Sequence, residues 1–487
     1  MSARQPTLLE ALIPIVAVLL FLGVGYGYLQ LRVEALLICS AIVASLVGKR
    51  VGLTWAQMQT AIIAKIADAL PALLILLSVG FLVGAWMFSG TVPLLVYYGL
   101  QLIEPRFLLA TAFIITIVVS TATGTSWGAI GTVGVALMGI AGGLGVSLPA
   151  TAGAVISGAY FGDKISPFSD TTNLAPIAAG SELYEHIRHL LYTTVPPAII
   201  ALILYVIVGL QGSGDVRDLE SVQSILTVLD GMYQLHPILL LPVAFVFYGA
   251  IARWPTIPTM IAGGFLGVLL GVALHGFAVA DGMESVIEGF KISMADNSGL
   301  DSSGALANVT RLLERGGMTS MTGPVLLVFC AFAYAGIVNA IGCLDVILAR
   351  VLRAIRDSEP GVILATMGSS MTVAMVTGDA YLAIIIPGDL FRSVYPERGL
   401  HPKNLSRTLE DSGTVIMPLI PWAVSAAYAS ENLGVATLDY LPWAVFCYLG
   451  PLFAVFYAFT GIGIARMTPM SEGTVPAQAS PVAADQP

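Results

Sequence analysis

Charge is what this sequence has least of. Only 10% of its 487 residues are Asp, Glu, Lys or Arg, while 57% are hydrophobic; an ordinary soluble domain carries roughly 25% charged residues. The shortage excludes a soluble globular protein, because the chain has too few charges to cover a surface facing water. Cysteine is scarce too. Cys39, Cys330, Cys343 and Cys447 stand in apolar context without metal-ligand spacing, which excludes a disulfide framework and predicts packed thiols. No metal-ligand cluster, phosphate-binding loop or nucleophile triad stands out in the sequence, and with a net charge of −9 no nucleic-acid partner is expected.

What the chain does have is long apolar runs. "ALIPIVAVLLFLGVGYGYLQL", "FLLATAFIITIVVSTA" and "WAVFCYLGPLFAVFYAFTGIGIA" each approach the ~17–25 residues that cross a bilayer. The chain reads as an all-α polytopic membrane protein of about ten to twelve helical segments, several too short or too Gly-rich to be simple spans. Its expected place is the cell (inner or plasma) membrane, with the lipid bilayer as a partner. The first run is too long for a signal-peptide core and no small-residue cleavage site follows it, so it reads as a retained helix. Lys49/Arg50 and Arg350/Arg353/Arg356 form basic clusters that read as cytoplasmic. The acidic stretch 211–235 reads as an external loop, 281–315 as a polar insert with "NSGLDSSG" as its flexible part, and 467–487 as a disordered tail.

Three motifs recur in the same order. "TATGTSWGAIGTVGVAL" from Thr121 matches "MVTGDAYLAIIIPGDLF" from Met375: Thr-Gly, then Trp127 or Tyr381 three residues after the glycine, then an apolar stretch. Upstream, "VGAWMFSG" pairs with "AGIVNAIG"; downstream, "SDTTNLAP" pairs with "EDSGTVIMP". The order predicts two structural repeats, one in 1–210 and one in 236–466. The last pairing makes Asp170 and Asp411 equivalent.

The run "GDKISPFSDTTNLAP" crowds polar side chains into an oily chain. Irregular backbone survives in a bilayer only where protein or a watery cavity covers it. Pro167, Pro176 and the hydroxyls disfavour an unbroken helix, as do Gly413, Pro418 and Pro421 in "LEDSGTVIMPLIP". Both read as discontinuous helices whose broken middles expose oxygens to a hard cation, the way secondary transporters bind ions near the midplane. An ionised carboxylate at membrane depth is costly unless a cation sits beside it, so proton and Na+ should compete for it. The interesting carboxylates are Asp163, Asp170, Asp379, Asp389, Glu410 and Asp411. Asp170, Thr171, Thr172 and Asn173 are expected to form one half of a cation site, and Asp411, Ser412 and Thr414 the other. Asp379, Asp163, Thr125 and Ser126 are further candidates, the last two in the broken segment "TGTSWG". Against these stand plainer readings: a Ser169–Asp170 helix cap, an Asp163–Lys164 ion pair, and an Asp389–Arg392 pair. The glycine run "GAIGTVGVALMGIAGGLG" reads as helix packing. His186 and His189 titrate in the range of a pH sensor, but with their aromatic and basic neighbours they read as an interfacial anchor, and Trp254 and Trp443 as belt residues.

"GTSWGAIGTVGVALMGIA", "GDKISPFSDTTNLAP", "LYEHIRHLLYTTVP", "RGGMTSM", "YLAIIIPG" and "LSRTLEDSGTVIMPLIPW" together resemble the NhaC-type Na+/H+ antiporters, from about Thr7 to about Gly463. The resemblance implies inverted repeats with re-entrant hairpins and interrupted helices. It also implies exchange of Na+ for H+ with no cofactor beyond the transported ions, and it leaves a homodimer open. A second reading is a Na+- or H+-coupled carrier of a small organic acid or amino acid, with Lys164 as the partner of the substrate's charge. A third, an intramembrane aspartyl enzyme built on "YFGD" and "TGD", lacks the glycine expected three residues before each aspartate: Tyr160 and Val376 stand there. The protein is expected not to be an enzyme.

Overall fold

The computed structural model describes residues 4–212, 219–295, 310, 313–354 and 358–467. Among them helices account for nearly all regular structure, with one isolated bridge between Leu400 and Arg466. In chain order the first half runs α1 (Leu8–Tyr26), α2 (Val33–Arg50), α3 (Trp55–Phe88), α4 (Thr91–Leu102), α5 (Leu108–Thr123), α6 (Ser126–Gly143), α7 (Leu148–Ile165), α8 (Asp170–Ala179) and α9 (Leu183–Gly212). There follow α10 (Leu219–Met232), α11 (Leu241–Ile251), α12 (Thr256–His275) and α13 (Val279–Glu288). The second half continues with α14 (Thr322–Ile341), α15 (Cys343–Ala354), α16 (Glu359–Thr377), α17 (Ala380–Phe391), α18 (Pro402–Leu419), α19 (Val424–Leu433) and α20 (Val445–Thr460). Eight helices among the described residues are long and apolar enough to cross a membrane, or up to eleven if each bent pair counts as one span. Large apolar side chains such as Leu20, Leu46, Leu102 and Phe459 stay uncovered, as suits a protein whose solvent is lipid rather than water.

Helix starts follow local chemistry. Thr7 with Glu10 and Thr54 with Gln57 each form a reciprocal capping box before an apolar run. Helix ends follow glycine. α5 stops at Gly124 (φ +72°) and α16 at Gly378 (φ +65°), both in the left-handed conformation that suits glycine. Each is followed by an extended capping residue, Thr125 or Asp379, and a new helix. α16 and α17 fold back on each other, with Ser370 Oγ donating to the Ala383 carbonyl (2.7 Å) across the turn.

The same succession occurs twice: α3–Gly90–α4, α5–Gly124–α6 and α7–break–α8, then α14–Gly342–α15, α16–Gly378–α17 and α18–break–α19. The breaks fall at Ser166–Ser169 and Ile420–Ala423. α5 and α7 pack so closely that a Cβ on Gly158 or Gly162 would run into the Phe113 or Ile117 carbonyl. Two glycines of α6 pack likewise, Gly131 against Tyr428 and Gly143 against Leu100.

Two expectations need correction, and a third gains detail. The acidic stretch is not simply a loop: 211–212 end α9 and 219–232 form α10, whose Ile225, Leu229 and Met232 are buried at helical spacing, while 213–218 lie outside the described residues. The insert 281–315 is partly helical, since α13 packs on α3 and buries Val286; the "NSGLDSSG" segment and the tail beyond Met467 lie outside the described residues. Cys39 is exposed, unlike Cys343 and Cys447, because its side of α2 is left uncovered by protein.

Candidate functional site

The broken helices bring their loose ends to one cavity of about 1250 Å³. The first residues of α6, α8, α17 and α19 border it, as does the wide π-helical turn Glu410–Thr414 inside α18. Of the residues singled out in the sequence, Thr125, Ser126, Asp163, Lys164, Asp170, Thr171, Asn173, Asp379 and Thr414 line the cavity. Thr172, Asp411 and Ser412 stand behind its wall.

Two of the carboxylates that line the cavity are half-satisfied; Asp411, behind the wall, also has one oxygen, Oδ2, without a hydrogen bond among the described residues. Ser126 Oγ donates to Asp163 Oδ2 (2.6 Å), and Thr414 Oγ1 donates to Glu410 Oε2 (2.5 Å). The other oxygens, Asp163 Oδ1 and Glu410 Oε1, are buried and accept no hydrogen bond among the described residues. A buried carboxylate oxygen without a donor costs free energy on the order of 1–3 kcal/mol or more. A hard monovalent cation or a proton would satisfy both oxygens, so the residues present fit such a cargo.

The remaining candidates are engaged. Asp170 is exposed in the first turn of α8, accepts from the Tyr381 hydroxyl, and follows Ser169, which caps the helix as the plainer reading has it. The Thr171 amide donates to Asp170 Oδ1 (2.8 Å). Thr172 Oγ1 donates to the Asp163 and Lys164 carbonyls (3.1 Å each) and Asn173 Nδ2 to the Pro167 and Ser169 carbonyls (2.9 and 2.6 Å). These two side chains spend their donors on holding the break together. Asp379 caps α17 by accepting from the Tyr381 and Leu382 amides (2.8 and 3.3 Å) and lies 3.6 Å from the buried Lys65 ammonium. Ser412 Oγ donates back to the Thr408 carbonyl (2.6 Å).

Asp170 and Asp411 are not equivalent. Asp170 opens the arm after its break, whereas Asp411 lies in the arm before its break. Pro167 and the Ser169 cap end one helix and start another, whereas "EDSGT" stays helical. Asp163 is the first-half carboxylate in the arm that corresponds to Glu410. Asp411 pairs instead with Lys164, and Arg407 Nε stands 3.9 Å away. Asp163 therefore does not pair with its neighbour Lys164, which points the other way. Asp389 is exposed and makes no ion pair with Arg392 among the described residues. His186 and His189 are buried, not interfacial: they reach Ser406 Oγ (2.8 Å) and Asn404 Oδ1 (3.0 Å) and tie α9 to α18.

Sequence reasoning passed over Lys65 and Arg407 and left Glu410 out of the site. Lys65 and Asp68, three apart in the 34-residue apolar α3, carried a signal of their own, because an ion pair inside a span is rare. Glu410 was overshadowed by its neighbour Asp411, and adjacent helical residues face different ways.

A many-span helical chain whose interrupted helices meet at a cavity bordered by carboxylates and hydroxyls is built as a membrane transporter. The chain belongs to the Na+/H+ antiporter family, whose model matches residues 90–172 and 158–462, and it is a multi-pass plasma-membrane protein. It is 46% identical to an uncharacterized Na+/H+ antiporter of Haemophilus influenzae over 95% of this chain and 98% of that protein. It is 38% identical to the Na+/H+ antiporter NhaC of Alkalihalophilus pseudofirmus over 88% and 90%. A malate-2H+/Na+-lactate antiporter of Bacillus subtilis is 34% identical over 94% and 96%.

Proposed function

We propose that the protein exchanges Na+ for H+ across the membrane by competition at one pair of carboxylates, Asp163 and Glu410. The observation that carries the reading is the pair of buried, unpartnered oxygens, Asp163 Oδ1 and Glu410 Oε1, on side chains that border the same cavity. Each carboxylate keeps one hydroxyl donor, Ser126 or Thr414, which orients it without adding charge. The open oxygens then take either a proton or Na+, because a buried anion needs a neutralising partner and either cation supplies it. The halves 1–210 and 236–466 act as inverted repeats, Asp163 with Ser126 coming from the first and Glu410 with Thr414 from the second. Asp170 and Asp379, at the first turns of α8 and α17, add negative potential that draws cations into the cavity.

The purified protein in acid-loaded liposomes tests this reading. External Na+ or Li+ without any organic substrate is expected to drive protons out. Below the pH at which the carboxylates titrate, the Na+ concentration for half-maximal flux should fall by about tenfold per pH unit as protons stop competing.

A second reading is favoured by one feature. The N-terminal ends of four helices and the Arg253 side chain border the cavity, and helix N-termini favour anions. The relative named as a malate and lactate antiporter makes exchange of a small carboxylate the natural form of that reading. If flux in the liposomes appears only when a carboxylic or amino acid is added, the second reading replaces the first.

A further inference from the structure

Lys164 sits in the wall of the cavity with a side chain only 1% exposed. A lysine this buried keeps its charge only with a counter-ion and hydrogen bonds, and both are present. Its ammonium pairs with Asp411, itself 0% exposed, and reaches Thr193 Oγ1 at 3.5 Å. The Phe446 ring lies 6.0 Å from the ammonium. Behind the pair, Arg407 Nε stands 3.9 Å from Asp411 Oδ2, and Arg407 Nη1 donates to the Gly463 carbonyl at 2.7 Å. That carbonyl belongs to the segment after α20, which is pinned along α18 by the His401–Ala465, Asn404–Ala465 and Gly399–Met467 hydrogen bonds. The ammonium also lies within electrostatic reach of Glu410 on α18, His186 on α9 and Cys447 on α20, and Asp163 is its neighbour on α7. The pair is thus held in place from three helices, and its two members are the chain neighbours of the carboxylates that border the cavity, Asp163 and Glu410.

We infer that Lys164 and Asp411 do not bind the cargo but form a fixed charge pair that sets how strongly the Asp163/Glu410 site holds protons and Na+. This inference rests on the antiport reading above. A positive charge near a carboxylate weakens its hold on both cations. Asp411 offsets that effect by drawing the ammonium toward itself. Without Lys164 the site would hold protons to higher pH; without Asp411 the freed ammonium and Arg407 would bear on the site and make it release protons at lower pH. An ammonium committed in this way is also unavailable to neutralise an organic anion. Both residues are positioning residues, and a change in pH profile separates that role from a merely structural one.

The test uses the full-length chain in liposomes and reads the pH midpoint of the acid limb of Na+-driven proton efflux. Lys164→Gln is expected to move the midpoint to higher pH by about one unit or more, and Asp411→Asn to move it to lower pH. The Lys164→Gln/Asp411→Asn double variant restores the net charge and should return toward the wild type, and Lys164→Arg should keep the wild-type midpoint. Midpoints that stay put while only amplitude falls, or that all move in one direction, would overturn the inference. If the single variants do not insert, the double variant and Lys164→Arg decide it: a displaced midpoint in either counts against a charge-based role. Wild-type protein that fails to couple Na+ to H+ would instead sink the antiport reading itself.

Discussion

Asp163 and Glu410 stand apart from the other acidic side chains at the cavity because each leaves one buried oxygen unpartnered, whereas Asp379 caps a helix and Asp170 accepts from a tyrosine hydroxyl. Asparagine or glutamine keeps the shape of each side chain and removes the ionisable oxygen. Asp163→Asn and Glu410→Gln should each lower Na+-driven proton efflux by about tenfold or more, with normal amounts of protein in the membrane. Asp389→Asn, at an exposed position outside the cavity lining, should exchange at the wild-type rate. Near-wild-type flux in both core variants would move the site elsewhere. The acidic residues of the signature runs were legible as a set in the sequence. Which of them remain open was not, because that depends on partners such as Lys164, 247 positions from Asp411, and Tyr381, 211 positions from Asp170.

At the scale of elements, the site depends on helices that stop where they do. Gly124 ends α5 with φ +72°, and a Cβ there would lie 2.6 Å from the Phe168 carbonyl carbon and 2.9 Å from its oxygen. Phe168 belongs to the break between α7 and α8, so the two interruptions lean on one another. Gly276 has nearly the same backbone, φ +70°, but nothing within 4 Å. Gly276→Ala should therefore cost only the left-handed penalty, about 1–2 kcal/mol, whereas Gly124→Ala should add an overpacking cost of about 1–3 kcal/mol. Thermal unfolding of the detergent-purified variants checks this, and equal losses of Tm would contradict the close packing. These stops were readable from glycine, proline and hydroxyl runs. The helix α10 was not, because its acidic side chains hid an apolar stripe at helical spacing.

For the whole molecule, both ends of the chain's charge distribution matter. The Arg4 amide bonds the Val51 carbonyl at 3.0 Å, and Gly48 packs against Ile341 at the end of α14. Lys49/Arg50 and the start of α15 thus share one end of the molecule; Arg350 and Arg353 follow later in α15, Arg356 lies outside the described residues, and basic clusters of this kind stay in the cytoplasm. Single cysteines at Thr54 and Ser358, in a background lacking the native four, should react with a membrane-impermeant reagent from the cytoplasmic side. One at Gln30, at the opposite end of α2, should react from the outside. Labelling of Thr54 and Ser358 from different sides would refute this orientation.

The amino-acid sequence by itself determined that the protein lives in a bilayer, that several of its helices are interrupted, and which family it resembles. Those properties are sums over neighbouring residues: apolar length sets the solvent, and prolines, glycines and hydroxyls set where a helix can stop. Only the tertiary structure decided which carboxylates face the cavity unpaired and which are spent on structure. Adjacent residues on one helix turn to different surroundings, so Glu410 meets the cavity while Asp411 meets Lys164. The energy of a buried charge depends on what stands within a few ångströms of it, and for Asp411 that neighbour, Lys164, comes from the other half of the sequence.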